Sequence, residues 1–391
     1  MAERFWRRYL DVFDRVRIIA RAARVDQPPA GWQLVNGDGI SFHAVPDYRG
    51  PVGLLRNFIS VKASLRSAAT MRGAVILRVA SQVANMLDGQ LYKVGRPYGL
   101  EVLGDPAEVF AAGVIDHPLR PLLRWHFSRK MRLQCLRASG VAYVTRRVLQ
   151  ERYPSRRLST SFSDVDLSQD ALAKSAYSTS YSSIELDSSG YVASPRSAKP
   201  HGPWTLSTVG SMAQMYKGID VLLRALASCT SSGFDVRAVI VGEGKFRPEL
   251  MALAERLGIS SRTQFLGQLT AGEPVRRILD TADLFVLPSR TEGLPRALIE
   301  AMARALPCIG SDVGGIPELL EQEELVPAGD SAALAAKIQE VLRDTRRMEM
   351  MSHRNLAVAR EYCDFVLAER RRQFYFYIKD CTMRWEKQHT C

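Results

Sequence analysis

From residue 204 onward, short apolar runs alternate with longer segments whose apolar residues recur every three or four positions. The short runs predict strands and cover residues 204–212, 235–244, 263–269, 283–289 and 307–312. Two of them, 235–244 and 283–289, are typical of strands buried on both faces, because their apolar residues follow one another without polar alternation. The segments with helical spacing cover residues 218–232, 245–259, 273–282, 296–305, 331–344 and 353–380. This alternation, with short connections, predicts an α/β fold with a doubly wound parallel sheet.

The first half of the chain repeats the alternation more faintly. Its predicted strands cover residues 16–23, 39–46, 73–80, 99–104 and 140–145, and its clearest predicted helices cover 53–71 and 120–138. The pattern therefore predicts two α/β domains. Their expected limits are an N-terminal domain at 1–157, a hinge at 158–202, a C-terminal domain at 203–365 and a final helix at 366–391 that crosses back to the N-terminal domain.

The hinge is predicted from the serine-rich composition of residues 155–200, which is typical of linkers. This region contains a near-repeat, in which STSFSDVDLS (159–168) recurs as STSYSSIELD (178–187). One copy is expected to cross between the domains as a strand and the other to form a surface turn. The sequence does not decide which copy does which.

The net charge of +12 lies entirely in the first 150 residues, which hold 23 Lys and Arg against 11 Asp and Glu. Such asymmetry predicts a polyanionic partner for that half, and we expect peripheral contact with an anionic membrane. Residues 120–138 mix Leu, Trp and Phe with Arg and Lys, a pattern shared by interfacial and by ordinary packing helices. The alternative is a solvated, arginine-rich surface. The basic residues of the first half form no recognisable nucleic-acid-binding motif, so no nucleic-acid partner is expected.

Cysteine usage and hydropathy bear on the compartment. The six cysteines are scattered and form no C-x-x-C pair, which argues against a disulfide framework or a zinc site and for a reducing environment. No apolar run approaches the roughly 20 residues of a membrane-spanning helix, and the charged first residues lack the apolar core of a secretory signal. These features predict a cytoplasmic protein, peripheral on the inner face of the membrane if the basic half binds lipid.

The segment TEGLPRALIEAMA (291–303) places one acid, Glu292, on a loop and a second, Glu300, in the helix that follows. Gly293 permits close approach of the backbone, and Pro295 suits the first helical position, where its missing N–H costs nothing. The unpaired amides and the dipole at a helix start attract anions. We therefore expect a phosphate or diphosphate at this point.

Lys217 follows the first strand of the second half, so its ammonium is expected to meet the same phosphate at the carboxyl edge of the sheet. Glu300 lies about 7.5 Å along the helix axis from Pro295, at 1.5 Å per residue. A carboxylate there would accept hydrogen bonds from two sugar hydroxyls. The alternative is an ion pair with Arg304, four residues later.

These residues carry a family resemblance. The segments TVGSMAQMYKGIDVLLRAL, VIVGEGKFRPELMALAERLGI, QFLGQL and ADLFVLPSRTEGLPRALIEAMARALPCIGSDVGGIPELL resemble glycosyltransferase family 4 (group 1) in order and spacing across residues 204–320. Glu292 and Glu300 match the family's E-x7-E motif. The resemblance implies a GT-B fold, with two Rossmann-like domains facing a central cleft. It also implies a retaining transferase of hexosyl or related groups that acts on a nucleotide sugar and a glycan or lipid-linked acceptor in polysaccharide biosynthesis.

The resemblance also implies residue roles. Glu292 would contact the hydroxyls of the donor sugar and Glu300 those of the ribose, while Lys217 would neutralise the diphosphate leaving group. The remaining residues expected to bind the nucleotide sugar are Gly293, Leu294, Pro295, Gly210, Ser211, Gly242 and Gly267, with Gly267 at the base pocket. Neither a metal nor another cofactor is expected, because a lysine and a helix start together stabilise the leaving diphosphate.

The chain departs from the family pattern in two places. Ser211 stands where many members have an arginine that contacts the diphosphate, and Arg247 and Arg290 are the candidate replacements. The first residues are predicted to form the helix that follows the family's first strand and glycine loop. Either the true start lies upstream, or the protein lacks the first strand and loop. In the second case the alternative function is a non-catalytic, glycosyltransferase-like binding subunit. SDVDL (163–167) is also compatible with the metal-binding D-x-D of the other glycosyltransferase fold, but no nucleotide-binding half precedes it.

Overall fold

A computed structural model describes residues 3–27, 34–48, 50–111, 117–155, 178–180 and 186–389. These residues form two compact units. The first unit consists of described residues within Met1–Gly104, His126–Tyr181 and Ala368–Cys391, and the second of those within Asp105–Trp125 and Ser182–Leu367. The predicted D-x-D segment (163–167) and the first copy of the near-repeat (159–168) lie outside the described residues.

The strands in the first half of the chain are all parallel to their neighbours. They are β1 (Val16–Ala22), β2 (Ile40–Pro46), β3 (Ile76–Val79), β4 (Gly99–Val102), β5 (Gly140–Tyr143) and β6 (Ser178–Ser180). The first two pair with each other, and the other four form a sheet in the order β3-β4-β5-β6. The helices of this half are α1 (Glu3–Leu10), α2 (Gly50–Arg56), α3 (Phe58–Thr70), α4 (Gln82–Lys93), α5 (Pro106–Val109), α6 (Arg120–Arg137) and α7 (Val148–Arg152).

The strands of the second unit form one parallel sheet in the order β12-β11-β10-β7-β8-β9. They are β7 (Trp204–Val209), β8 (Val236–Val241), β9 (Thr263–Gly267), β10 (Leu284–Leu287), β11 (Cys308–Ser311) and β12 (Leu325–Val326). Connecting helices are α8 (Ile219–Ser231), α9 (Arg247–Arg256), α10 (Glu273–Thr281), α11 (Arg296–Ala303), α12 (Ser331–Arg343) and α13 (Thr345–Arg360). The predicted doubly wound α/β fold is confirmed. The strand order reverses between β7 and β10, and ligands bind at such reversals.

The last helix, α14 (Asp364–His389), packs within the first unit from residue 368 onward. Glycines at the starts of β4 and β5 make room for it: a Cβ on Gly99 would lie 2.8 Å from Cγ1 of Ile378. The Tyr375 ring stacks on Tyr9 with centroids 4.7 Å apart, and both hydroxyls donate to Oε1 of the buried Glu101. Within the described residues, no helix has the length and apolar character needed to cross a membrane.

Two predicted helices are interrupted. Residues 53–71 form α2 and α3 rather than one helix, and the break falls at Asn57, whose side-chain amide and backbone N–H both donate to the Gly53 carbonyl. Residues 353–380 belong to two helices, α13 and α14. At that break Cys363 bridges Leu186 as a parallel strand would, and the Asp364 N–H donates to the Leu186 carbonyl. Long-range pairing therefore overrides the helical pattern here.

Candidate active site

Three predicted glycines meet at the carboxyl ends of β7, β8 and β9. The Gly242 N–H donates to the Gly267 carbonyl at 2.8 Å, and the Gly210 N–H donates to the Val241 carbonyl at 2.9 Å. A Cβ on Gly242 would lie only 1.9 Å from the Gly210 oxygen. This edge of the sheet is therefore lined by backbone, as a site that approaches a ligand closely requires.

Lys217 and Glu292 are in direct contact at the reversal of strand order. Lys217 ends the turn that precedes α8, and Glu292 lies in the loop between β10 and α11. The Lys217 ammonium lies 2.6 Å from Oε1 of Glu292, which also accepts a hydrogen bond from the Ser289 hydroxyl at 2.6 Å. The two side chains are 17% and 8% exposed. The result is a preformed pair of opposite charges at the point where the sheet topology predicts a ligand.

Gly218 sets the position of Lys217. Its backbone is left-handed, with φ of +66°, and a Cβ there would lie 1.8 Å from the Pro288 carbonyl oxygen. The loop after β7 and the loop after β10 therefore touch through backbone atoms at this residue.

The loop after β11 supports the loop that carries Glu292. The Gly315 N–H donates to the Gly293 carbonyl at 2.8 Å, and Leu294 packs beside Gly315. Gly314 has φ of +54°, and a Cβ on it would lie 1.9 Å from the Glu292 carbonyl oxygen. The loop after β11 therefore packs against the predicted binding residues Gly293 and Leu294.

Helix α11 differs in two details from the prediction. Pro295 is its N-cap, with ψ of 108°, and the first helical residue is Arg296. Glu300 accepts a hydrogen bond from Nε of Arg296 at 2.7 Å, whereas Arg304 pairs with Asp280. The alternative considered for Glu300, an ion pair with Arg304, is wrong, because Asp280 on α10 offers Arg304 a bidentate partner. The Glu300 carboxylate is partly exposed and lies one helical turn after Arg296.

The three residues considered as diphosphate contacts each have a different hydrogen-bond partner. Ser211 is exposed, and its hydroxyl accepts a hydrogen bond from the Ala213 N–H. Arg247 donates to Glu243 at 2.9 Å and lies beside Gly267. The guanidinium of Arg290 instead contacts Asp220 in the first turn of α8.

One carboxylate at the site has no signal in the sequence. Glu108 of α5 accepts a hydrogen bond from the Thr291 hydroxyl and another from the Gly314 N–H, each at 3.2 Å. Burial raises the pKa of the Glu108 carboxyl, although these hydrogen bonds oppose the rise. It is 183 residues distant from Thr291 in the chain, and no local pattern marks such a contact.

Comparisons with known proteins agree with this geometry. The family described as "Glycosyl transferases group 1" matches residues 203–344, the part that carries Lys217, Glu292 and Glu300. Protein CapJ of Staphylococcus aureus is 22% identical over 92% of this chain and 88% of its own length. WcaL of Salmonella typhimurium, named as a colanic acid biosynthesis glycosyltransferase, is 35% identical over 38% of each chain. That match thus spans well under half of the relative.

A solved structure shows the same fold. HepE of Anabaena, crystallised with UDP, superposes with a TM-score of 0.59 over 86% of this chain and 85% of its own, at 18% identity. The predicted GT-B fold is confirmed. Residues 203–344 of this chain therefore match the group 1 glycosyltransferase family, and the match covers little more than a third of the chain.

Proposed function

We propose that this protein is a retaining glycosyltransferase that moves a sugar from a nucleoside diphosphate donor to a glycan or lipid-linked acceptor in polysaccharide assembly. The observation that carries the proposal is the Lys217–Glu292 contact of 2.6 Å at the reversal of strand order. The UDP bound by HepE and the polysaccharide named for WcaL support the classes of donor and product.

In this proposal, breaking the bond between sugar and phosphate builds positive charge on the sugar ring and negative charge on the departing diphosphate. Lys217 and the start of α11 offset the negative charge without a metal ion. Arrival of the diphosphate would draw the Lys217 ammonium from Glu292, whose carboxylate then accepts hydrogen bonds from sugar hydroxyls. Glu300 would accept hydrogen bonds from the ribose. Retention requires the acceptor to attack from the face that the diphosphate leaves.

The first test is a panel of nucleoside diphosphate sugars read by thermal shift and by donor hydrolysis, with wild type and Glu300→Ala compared. We expect one donor to raise the melting temperature and to be hydrolysed slowly, and Glu300→Ala to weaken donor binding by roughly tenfold, as loss of a charged hydrogen bond does. Glu255→Ala, an exposed acid on α9, is the control and should retain the shift. If no donor binds wild type, the proposal is wrong. Binding without turnover, even with acceptor extracts, would favour the non-catalytic alternative.

We further propose that the first unit contacts an anionic membrane surface. The support is a basic half that exposes an apolar group on α2 and α3. The group consists of Val52, Leu55, Phe58 and Ile59. The side chains of Val52, Leu55 and Ile59 are 63%, 77% and 83% exposed. Exposed arginines at positions 56 and 66 flank the group, so apolar insertion and attraction to anionic headgroups would act together.

Co-sedimentation with vesicles tests the membrane proposal. We expect wild type to pellet with vesicles of phosphatidylcholine and phosphatidylglycerol and to remain free with phosphatidylcholine alone. The double variant Leu55→Glu/Ile59→Glu should lose most of this binding. Met251→Glu, at an exposed apolar residue of the second unit, should keep it. Equal binding by both variants, or none by wild type, would contradict a membrane contact at α2 and α3.

A further inference from the structure

Arg290 ties together the two loops that carry Lys217 and Glu292. Its backbone N–H donates to the Tyr216 carbonyl at 2.7 Å. From the same residue, the guanidinium donates to the Met215 carbonyl at 2.7 Å through Nη1. All these contacts lie within the second unit, at the reversal of strand order.

The strongest contact of Arg290 is with Asp220. Nη1 and Nη2 donate to the two carboxylate oxygens at 2.8 and 2.9 Å, the parallel geometry that a guanidinium forms and an ammonium cannot. Asp220 belongs to the first turn of α8 and its side chain is 8% exposed. Burial alone would raise the pKa of the Asp220 carboxyl, but the hydrogen bonds from Arg290 and Arg224 outweigh that effect and hold the pKa below its ordinary value.

The sequence separations place this contact beside the proposed site. Asp220 follows Lys217 by three residues, and Arg290 precedes Glu292 by two. The bidentate pair therefore fixes the start of α8 against the loop after β10 at the point where the Lys217 ammonium meets the Glu292 carboxylate. A displacement of about 1 Å at such a site is enough to lower catalysis markedly.

We propose that Arg290, through its bidentate contact with Asp220, is a positioning residue that holds Lys217 against Glu292. This inference rests on the proposed function in one respect, namely that Lys217 and Glu292 bind the nucleotide-sugar donor. Because the guanidinium is engaged by α8, Arg290 acts through the loop geometry and not as the missing arginine contact to the diphosphate.

The chain offers a matched control for the proposal. Arg224 also donates to Asp220, at 2.7 Å, but from the next turn of α8 itself, so its contact does not cross between the loops. It is also more exposed than Arg290, at 48% against 22%. Replacing Arg224 removes one positively charged partner of Asp220 and leaves the contact between Arg290 and α8 intact.

A first experiment needs no donor. The rate at which an amine-reactive acylating reagent modifies Lys217 is measured in the full chain by peptide mass spectrometry. Loosening the Lys217–Glu292 contact should expose the ammonium, so we expect Arg290→Lys and Asp220→Asn to raise the rate severalfold and Arg224→Ala to leave it unchanged. Circular dichroism and melting curves establish that each variant is folded. If folded Arg290→Lys and folded Asp220→Asn both label at the wild-type rate, the proposal is overturned.

A second experiment measures donor hydrolysis in a double-mutant cycle with Lys217→Ala. Arg290→Lys is expected to lower kcat by about tenfold in the wild-type background and to have no further effect when Lys217 is absent. Additive losses would mean that Arg290 acts independently of Lys217, and the positioning role would be wrong. If Lys217→Ala itself hydrolyses the donor as wild type does, the proposed function fails instead, and the labelling result alone then decides the positioning role.

Discussion

Replacing Glu292 with glutamine is expected to lower kcat for sugar transfer by about 10²–10³-fold, the loss typical of removing one preorganised charged or hydrogen-bonding group from an active site. The substitution keeps the size of the side chain and its ability to accept from the Ser289 hydroxyl. It removes the negative charge that, in the proposed reaction, faces the developing positive charge of the sugar ring. It also leaves the Lys217 ammonium without its partner at 2.6 Å. We expect a smaller change in donor affinity, because the diphosphate itself becomes the partner of Lys217. Transfer of labelled sugar at saturating donor measures the effect.

The control for this prediction is Glu255→Gln. Glu255 lies exposed on α9 in the same unit, so the same chemical change there should leave transfer unaffected. Both variants should melt within a few degrees of wild type. If Glu292→Gln transfers sugar within about threefold of wild type at saturating donor, Glu292 has no electrostatic role in the reaction, and the assignment based on the E-x7-E spacing is wrong.

The architecture of the second unit could be predicted because its strands and helices are each marked by a pattern within a short stretch of sequence. Strand β10 is an uninterrupted apolar run, as a strand buried on both faces must be, and the following helix begins after a Gly and a Pro. Once the strands are in order, the topology of parallel sheets brings the ends of β7 and β10 together. The closeness of Lys217 and Glu292 follows from that rule. Their roles in catalysis remain predictions.

Contacts between distant residues could not be predicted in the same way. Glu108 follows a short strand in the other half of the chain and reads as the end of a helical turn, yet it accepts hydrogen bonds beside Glu292. Likewise, Arg290 is an ordinary loop arginine in the sequence, and only the structure pairs it with Asp220. The partner of a charged side chain depends on which groups the fold brings within reach. Hydrophobic periodicity and sequence spacing contain no information about such distant contacts.

Local rules also failed where tertiary contacts compete with them. The i,i+4 spacing of Glu300 and Arg304 is a sound helical rule, but Asp280 on a neighbouring helix gives Arg304 two hydrogen bonds. The long helical pattern after residue 353 breaks where Cys363 pairs with Leu186. In both cases an interaction across the fold is stronger than the local preference.

Replacing Gly218 with alanine is expected to lower the free energy of unfolding of the second unit by about 2–5 kcal/mol. An L-residue at a φ of +66° costs about 1–2 kcal/mol. In addition, the new Cβ would lie 1.8 Å from the Pro288 carbonyl oxygen, so the start of α8 or the loop after β10 must move at a further cost of about 1–3 kcal/mol. Because Lys217 is adjacent, donor hydrolysis should fall as well. Thermal unfolding with and without donor measures both effects.

Gly233→Ala separates the two contributions. Gly233 follows the other end of α8 and also has a positive φ, of +82°, but a Cβ there meets no atom within 4 Å. The free energy of unfolding of Gly233→Ala should therefore fall only by the backbone conformational cost, about 1–2 kcal/mol, and the variant should retain donor hydrolysis. A Gly218→Ala variant that is no less stable than Gly233→Ala would mean that the two loops do not touch at Pro288. The proposed reason for the position of Lys217 would then be wrong, because the close backbone approach is what places its side chain against Glu292.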